Sequence, residues 1–361
     1  MFLDPYIPTH WPAPHTPYEA DTLAFCRAWI SGQTNFTLHT SGSTGTPKPI
    51  QLARAQMQAS AHLTGQTLGL QAGDAALVCL NTQYVAGVMM LVRGLELGLP
   101  MTIIEPGSNP MADFDPVQTR FAFTAVVPLQ LQTILETTPD KLPILNGMKA
   151  ILVGGAATSQ ALEQALQVIS APVYATYGMT ETVSHIALRR LNGPQKSDVF
   201  TALTGVILGT DERGCLHITS AATNFERIQT NDVVHLFDGT RFRLLGRADR
   251  IINSGGVKIQ PEQVEQIIQN TLVRSRQESA ITVPRLFVAG IPDDRLGQRV
   301  VVVVERIDQQ MIRSDEWKAV QENIREALGP YSVPKEWIAV DSFSETATGK
   351  IDQKATIARI R

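Results

Sequence analysis

The sequence predicts an α/β protein with a largely parallel sheet, a small β-rich subdomain and a separate α+β domain at the C-terminal end. Between about residues 50 and 177, segments with the apolar spacing of helices alternate with short apolar segments that suit buried strands. This alternation is typical of a parallel sheet covered by helices. The helical period disappears after residue 185 and returns beyond residue 249. A chain of 361 residues is long enough for two or three such domains.

Composition excludes several classes of protein. Lys and Arg number 31 and Asp and Glu 34, so the net charge is −3 and no basic surface for nucleic acid is indicated. Apolar stretches such as residues 85–92 and 300–304 are too short to span a membrane, and the first residues lack a signal-peptide pattern. We expect a cytoplasmic protein without membrane partners. Cys26, Cys79 and Cys215 lack the spacing of a zinc site and predict buried free thiols.

Residues 1–15 are rich in proline and predict a surface arm, after which the first helix begins. Thr16 and Glu19 have the spacing of a capping box, with Pro17 at the first helical position. Ser31 and Gly32 supply a stop. The apolar face of this helix is predicted to contain Leu23, Cys26, Trp29 and Ile30.

The remaining elements follow from apolar periodicity and turn residues. In the α/β layer we predict strand 36–39, helix 53–68, strand 75–80, helix 85–97, strands 101–105 and 121–127, helix 129–137, strand 150–153, helix 160–169 and strand 173–176. Turns at 211–214 and 237–240 predict hairpins. Beyond them we predict strand 257–260, helix 262–269, strands 286–290 and 300–304, helix 315–328 and strand 337–340. The predicted domains are 1–248, divided into an α/β part (1–184) and a β-rich part (185–248), and 249–361.

A loop of small residues between a predicted strand and a predicted helix is the most informative segment. It contains Thr40, Ser41, Gly42, Ser43, Thr44, Gly45, Thr46, Pro47 and Lys48. Backbone N–H groups, hydroxyls and the Lys48 charge suit a polyphosphate. Proline on both sides of Lys48 excludes a Walker A loop. Composition alone leaves a flexible turn as the alternative.

Five motifs in order make the chain resemble the adenylate-forming superfamily of acyl-CoA synthetases, peptide-synthetase adenylation domains and luciferases. Residues 40–48 match its TSGSTGxPK loop, 177–181 match YGxTE, 230–232 match TGD with Asn231 in place of glycine, 246–256 match GRxDxxIxxxG, and 348–351 match TGKI. One such match would carry little weight, whereas the ordered set covers most of the chain.

The resemblance implies ATP and Mg²⁺ as requirements and assigns roles residue by residue. The residues implied to bind ATP are Thr40, Ser41, Gly42, Ser43, Thr44, Gly45 and Lys48 at the phosphates, Tyr177 at adenine, and Asp232 and Arg247 at the ribose. Thr180, Glu181 and Lys350 are implied to be catalytic, with Glu181 as the Mg²⁺ ligand. Judged from the residues alone, Glu181 also suits a solvated surface and Tyr177 a packed core.

The implied reaction joins a carboxylic acid to coenzyme A (CoA) through an acyl adenylate. Asp249 corresponds to the hinge of a mobile C-terminal domain that carries Lys350, and Gly255 and Gly256 would line the tunnel for the thiol of CoA. Relatives usually carry a further subdomain before the phosphate loop. We therefore expect an N-terminally truncated form of the acyl-CoA-synthetase large domain, with either a reduced but closed core or a homodimer.

Three segments resemble short 2-succinylbenzoate:CoA ligases, which implies a substrate with a second carboxylate. They are residues 81–93, with Tyr84 where many relatives have His, residues 153–156, and residues 184–190. The residues predicted at the acid are Tyr84, Arg93, Gly154, Gly155 and His185, with Arg189 as a further candidate cation. The alternatives are an ion-pairing Arg93, a His185 satisfied within a strand and a solvated Arg189. Three other interpretations stay open: the substrate is another acid, the acceptor is a carrier-protein thiol, or the protein is a non-catalytic nucleotide-binding relative.

Overall fold

The structure is a computed structural model that describes residues 1–39, 49–276, 283–306, 313–345 and 351–360. The predicted phosphate loop at 40–48 and the predicted catalytic Lys350 lie outside the described residues. Within the described part of the chain, no helix is long and apolar enough to cross a membrane.

The described residues form helices and strands close to the predicted ones. The helices are α1 (Pro17–Ile30), α2 (Arg54–Leu68), α3 (Val85–Leu97), α4 (Pro128–Thr137), α5 (Leu142–Asn146), α6 (Gln160–Ala165), α7 (Pro261–Ser275), α8 (Ser314–Leu328) and α9 (Gln353–Ala358). The strands up to residue 202 are β1 (Phe2–Leu3), β2 (Asn35–His39), β3 (Pro49–Ala53), β4 (Ala76–Val78), β5 (Met101–Ile103), β6 (Phe123–Val126), β7 (Ala150–Val153), β8 (Val173–Gly178), β9 (His185–Arg190) and β10 (Phe200–Ala202). The later strands are β11 (Ile207–Thr210), β12 (Cys215–Thr219), β13 (Ile228–Asp238), β14 (Arg241–Arg247), β15 (Ile252–Ser254), β16 (Val257–Ile259), β17 (Leu286–Asp293), β18 (Gly297–Glu305) and β19 (Glu336–Val340).

The larger sheet has twelve strands in the order β1-β5-β4-β6-β7-β8-β9-β10-β14-β13-β12-β11. Strands β5, β4, β6, β7 and β8 run parallel, and their central residues are buried because helices cover the sheet. From β8 onward every pairing is antiparallel. This mixed sheet confirms the predicted α/β class, and the β-rich part continues the parallel part edge to edge.

The first residues are not the surface arm that the proline content predicts. Strand β1 pairs antiparallel with β5, and the amino group of Met1 donates to the carbonyl of Ile103 at 2.7 Å. Leu3 and Trp11 are buried in the core. The prediction was wrong because a two-residue strand shows no periodicity, and its partner lies about a hundred residues away in sequence.

The first helix follows the prediction at both ends. The Oγ1 of Thr16 accepts a hydrogen bond from the N–H of Glu19 at 3.2 Å, and the helix ends before Ser31. Leu23, Cys26 and Trp29 are buried, whereas Ile30 is 48% exposed and lies off the predicted apolar face. All three cysteines are buried free thiols, as predicted, and burial raises the pKa of Cys26 and Cys79 to about 12.

Helices α2 and α3 pack against each other beside the large sheet. Helix α3 has the predicted bounds, and its residues from Gly87 to Gly94 are buried. A Cβ on Gly87 would lie 2.3 Å from the carbonyl oxygen of Asn81, so only glycine allows the start of α3 to approach that loop. The hairpin of β2 and β3, which the sequence predicted only in its first strand, covers the same apolar cluster.

The second sheet contains the last five strands. Its order is β16-β15-β18-β17, and β19 pairs parallel with β18. Helices α7 and α8 cover one face with a core that includes Val264, Ile268, Val302 and Val320. The two sheets separate between the end of β14 at Arg247 and the start of β15 at Ile252. The domain boundary between residues 248 and 249 remains a prediction.

A buried ion pair joins the end of α7 to the start of α8. The Nε and Nη2 atoms of Arg276 donate to the two carboxylate oxygens of Glu316 at 2.8 and 2.9 Å, and the side chain of Glu316 is 1% exposed. The N–H of Arg313 donates to the same carboxylate at 2.9 Å. These contacts, with that of Arg276 first, hold the pKa of Glu316 at about 2.

We expect Glu316→Gln to lower the free energy of unfolding at pH 7 by about 3 kcal/mol, because it leaves a buried guanidinium without its carboxylate. The lowered pKa stabilises the fold above pH 4.5, and this stabilisation is lost as the pH falls from 4.5 to about 2. The difference between the wild type and the variant should therefore shrink at pH 3. Urea unfolding at pH 7 and pH 3 measures this difference in the free energy of unfolding. Glu322→Gln, at an exposed position of α8, is the control, and equal losses in the two variants would contradict the assignment.

Candidate active site

The motif that begins at Tyr177 lies at the carboxyl end of β8, where the chain turns back into β9. Gly178 allows this reversal, because a Cβ at that position would lie 2.3 Å from the carbonyl oxygen of Ser184. A short 3₁₀ helix over Thr180–Thr182 follows. The turn therefore brings the residues on both sides of Glu181 to one edge of the sheet.

Three residues predicted to bind the nucleotide contact one another through their side chains, although they come from three different strands of this sheet. Asp232 on β13 pairs directly with Arg247 on β14. The Oη of Tyr177 donates to Asp232 Oδ2 at 2.6 Å, and Arg247 Nη1 donates to Asp232 Oδ1 at 3.1 Å. Burial, and then the charge of Asp232, raise the pKa of Tyr177 well above its ordinary value, so its hydroxyl stays protonated and donates.

The ring of Tyr177 packs within an aromatic cluster. Its centroid lies 5.1 Å from that of Phe242, edge to face, and 5.8 Å from that of Phe200. Only 8% of Tyr177 is exposed. Its predicted stacking on adenine remains a prediction, and sequence analysis missed the contact of its hydroxyl with Asp232. The motifs at 177–181 and 230–232 could have indicated this contact only if the order of the strands in the sheet had been known.

Arg247 also holds the residue that the resemblance makes a hinge. Its Nε and Nη2 donate to the two oxygens of Asp249 at 2.9 and 2.8 Å, a bidentate arrangement. This contact with Arg247 lowers the pKa of Asp249. Arg247 thus joins the predicted ribose ligand Asp232 to the predicted hinge Asp249.

The predicted metal ligand Glu181 has an exposed side chain beside the buried Thr180. Among the described residues, no group of three acidic, histidine or cysteine side chains could enclose a metal ion. A single exposed carboxylate suits Mg²⁺, which usually binds one or two carboxylates and fills its other positions with phosphate oxygens and water. The residue present therefore fits the implied ion.

Arg93 on α3 lies in a polar cluster inside the protein. It is 2% exposed, its Nη2 donates to Ser184 Oγ at 2.6 Å, and its Nε donates to Thr64 Oγ1 at 3.2 Å. No carboxylate among the described residues forms an ion pair with Arg93. These residues therefore do not support the alternative in which Arg93 is an ion-pairing residue. Burial lowers the pKa of Arg93 to about 9, which leaves it charged at neutral pH.

His185, another predicted acid-binding residue, belongs to the same cluster. Its Nε2 lies 3.2 Å from Thr64 Oγ1, and its Nδ1 lies 3.5 Å from Arg93 Nη2. Burial, and then the charge of Arg93, hold the pKa of His185 well below its ordinary value, so the ring is neutral. The hydroxyl of Ser60, one turn before Thr64, is buried without a hydrogen-bond partner among the described residues. The cluster is thus rich in neutral polar groups around one cation.

Arg189, the other candidate cation, is engaged elsewhere. Its Nη2 lies 2.7 Å from Glu163 Oε1, and its guanidinium lies 5.6 Å from the ring centroid of Phe200. Lys196 contacts the second oxygen of the same carboxylate at 3.2 Å. The charge of Arg189 is therefore balanced within the protein, in contrast to that of Arg93.

Two of the four predicted glycines, Gly154 and Gly255, leave no room for a side chain. A Cβ on Gly154, at the end of β7, would lie 2.4 Å from Thr176 Oγ1, and Gly155 has a φ of 84°. A Cβ on Gly255 would lie 2.4 Å from Cε1 of Tyr331, a residue that sequence analysis did not single out, whereas Gly256 faces open space. Tyr84 precedes α3 as its N-cap residue. The roles of these residues toward the acid and CoA remain predictions.

We expect Tyr177→Phe to weaken ATP binding about 10-fold, because it removes a hydrogen bond to the charged carboxylate of Asp232 that orients this side chain. Isothermal titration of ATP measures the change in Kd. Tyr174→Phe, on the same strand, is the matched control, because Tyr174 contacts Arg190 and not Asp232. Equal affinities in the wild type and Tyr177→Phe would show that this hydroxyl does not orient the nucleotide site.

The chain matches two family models and several relatives. The model of the AMP-binding enzyme family matches residues 28–210, and that of the AMP-binding enzyme C-terminal domain matches residues 281–350. The solved structure of an acyl-CoA synthetase (AMP-forming)/AMP-acid ligase II-like protein from Dyadobacter fermentans is 41% identical, with a TM-score of 0.67, and the match covers 100% of this chain and 99% of that one.

Two further relatives have a named substrate. A 2-succinylbenzoate–CoA ligase from Listeria monocytogenes is 26% identical over 356 residues, which are 94% of this chain and 72% of that protein. The structure of an O-succinylbenzoate coenzyme A synthetase from Bacillus subtilis, in complex with ATP and a magnesium ion, has a TM-score of 0.71 at 20% identity and covers 89% of this chain and 69% of that one. This second likeness is one of fold.

Proposed function

The chain belongs to the family of AMP-binding enzymes, and from this we propose that it is an ATP-dependent ligase that joins a carboxylic acid to CoA through an acyl adenylate. We further propose that the acid is 2-succinylbenzoate, as in menaquinone biosynthesis, and that the reaction takes place in the cytoplasm. The small-molecule partners are then the acid, ATP and CoA. The relatives named 2-succinylbenzoate–CoA ligase support this choice.

The first step activates a carboxylate, which is otherwise a poor electrophile. An oxygen of the substrate carboxylate attacks the α-phosphorus of ATP, the bond to the β-phosphate breaks, and pyrophosphate leaves. Asp232 accepts hydrogen bonds from the two ribose hydroxyls, and Tyr177 and Arg247 hold its carboxylate in place. When bound, Mg²⁺ neutralises charge on the phosphate oxygens. Glu181 would hold it.

The second step transfers the acyl group to sulfur. The CoA thiolate attacks the carbonyl carbon of the adenylate, a C–S bond forms, and AMP leaves with the electron pair of the broken C–O bond. Gly255 and Gly256 would leave room for the pantetheine arm, and Asp249 would be the pivot between the two steps. These assignments follow from the motifs. In both steps the protein positions the reactants and stabilises the charge that develops, and it forms no covalent intermediate with the substrate.

The surroundings of Arg93 are the main support for a dicarboxylic acid as the substrate. Its charge has only neutral partners among the described residues, and its Nη1 forms no hydrogen bond with any of them. A carboxylate there would form an ion pair with the guanidinium, which the neutral hydroxyls of Thr64 and Ser184 cannot do. We place the second carboxylate of the acid at Arg93, with Tyr84, Gly154 and Gly155 along the rest of the acid and His185 against the guanidinium.

A homodimer is a further part of the proposal. Phe2, in the edge strand β1 of the large sheet, is 55% exposed, and Tyr6, in the segment after β1, is 63% exposed. A second copy would bury these side chains. Sedimentation at a mass of 39.4 kDa would remove the dimer from the proposal and leave the ligase unaffected.

The direct test is pyrophosphate release with ATP, Mg²⁺ and a panel of carboxylic acids, with and without CoA, followed by mass analysis of the products. Release with 2-succinylbenzoate and formation of its CoA thioester are the expected results. Release with other acids only would discard this substrate but keep the reaction. The absence of pyrophosphate release with every acid would contradict the proposed ligase activity.

A further inference from the structure

Val183 has a backbone conformation that β-branched residues rarely adopt. Its φ is 65° and its ψ is −49°. The N–H of Ser184 donates to the carbonyl of Thr182 at 2.7 Å, which makes a three-residue γ-turn centred on Val183. Strained residues of this kind persist only where the surrounding structure holds them, and they concentrate at functional sites.

Two sets of contacts hold this turn. The side chain of Val183 is fully buried in an apolar cluster with residues of α1, β2, β3, α2 and α3, among them Trp29 and Met57. The hydroxyl of Thr182, also fully buried, accepts from the N–H of Met179 at 3.0 Å and lies 2.8 Å from the carbonyl oxygen of Ser184. Burial of an apolar side chain thus offsets an unfavourable backbone geometry.

The turn separates two parts of the candidate site. Glu181, two residues before Val183, is exposed. Ser184, directly after Val183, places its Oγ 2.6 Å from Arg93 Nη2, and His185 then begins β9 opposite Gly178. The direction of the Ser184 side chain therefore depends on the conformation of Val183.

We infer that Val183 is a positioning residue for the acid pocket, because its buried side chain holds the strained turn that keeps the Ser184 hydroxyl on Arg93. The inference rests on the proposed role of Arg93 as the cation that binds the acid. Without this anchor, Ser184 swings away and the guanidinium loses a fixed acceptor on Nη2. The acid then binds a poorly oriented cation. ATP binding at Asp232 and Arg247, on β13 and β14, is unaffected.

The test compares Val183→Gly with Ser184→Ala and the double variant. Glycine adopts this φ without strain but removes the anchor. We expect Val183→Gly to raise KM for the acid about 10-fold and to leave KM for ATP within about 2-fold. Because both changes act through one hydroxyl, the double variant should be no worse than Ser184→Ala alone. Met57→Ala, in the same apolar cluster, is the control for lost packing and should leave KM for the acid unchanged.

Hydrogen exchange, measured without substrate, keeps the inference testable if the proposed reaction fails. In Val183→Gly, the Ser184 amide should exchange about 10-fold faster than in the wild type, because its hydrogen bond to Thr182 closes the turn. An unchanged exchange rate would overturn the inference whatever the activity. Additive effects of Val183→Gly and Ser184→Ala, or a parallel rise in KM for ATP, would also overturn it. An inactive wild type would contradict the proposed function alone.

Discussion

Arg93→Met should lower kcat/KM for 2-succinylbenzoate about 100-fold, because a charge-assisted contact of the substrate carboxylate contributes about 1.5–3 kcal/mol. Methionine keeps the length and apolar stem of the side chain but removes the charge. The loss should fall on KM, since the second carboxylate lies away from the reacting one. Kinetics with the acid varied at saturating ATP measure this effect. KM for ATP should stay unchanged.

Arg189→Met is the matched control, because it removes an arginine on β9 that is already paired with Glu163. Its KM for the acid should equal that of the wild type. Arg93→Lys should recover part of the affinity, since it keeps the charge and loses the fork of donors. If Arg189→Met raised KM for the acid and Arg93→Met did not, the second carboxylate would have to bind at Arg189.

Lys350→Ala should slow formation of the acyl adenylate by about 10²- to 10³-fold, the loss typical for removal of one group that stabilises charge in the transition state. The expectation comes from the TGKI motif at residues 348–351. ATP affinity should remain near that of the wild type, because the residues proposed to bind the nucleotide, Asp232, Arg247 and Tyr177, are unchanged. Pyrophosphate release and ATP titration on one preparation separate the two effects.

Lys318→Ala, at an exposed position of α8, is the control for the loss of a lysine from the C-terminal region. A second check uses the acyl adenylate, supplied directly with CoA. Lys350→Ala should convert it to the thioester at close to the wild-type rate, because the first step is already complete. Unchanged adenylate formation in Lys350→Ala would remove this residue from the chemistry.

Local patterns predicted the helices well where one face is buried along the whole segment. The bounds of α3 agree to the residue, since apolar spacing and the loop before it define both ends. Strand β1 escaped prediction because Phe2 and Leu3 pair with residues 101 and 102. Such a contact leaves no periodic trace in a proline-rich segment. Strand β3 (Pro49–Ala53) was also not predicted, and only its last residue, Ala53, was assigned, to the helix predicted over 53–68.

The motifs single out candidate site residues, but they do not show how these residues contact one another. Asp232 and Arg247 were assigned to the ribose separately, and their direct pairing depends on the register of β13 and β14. The hydroxyl of Tyr177 on β8 contacts Asp232 on β13 although β9, β10 and β14 lie between these two strands in the sheet order, and no local pattern shows such a contact. For Arg93, sequence left an ion pair and a ligand role open. Its hydroxyl partners come from α2 and from the turn after Glu181, which are distant in sequence.

Incubation without CoA isolates the proposed first step, the adenylation of 2-succinylbenzoate. The protein, ATP, Mg²⁺ and 2-succinylbenzoate labelled with ¹⁸O in its carboxylates are mixed at equal concentrations and quenched, and the products are identified by mass. We expect pyrophosphate and 2-succinylbenzoyl adenylate, with ¹⁸O transferred to AMP after hydrolysis. ADP with phosphate, or AMP that carries no ¹⁸O, would contradict the proposed adenylation.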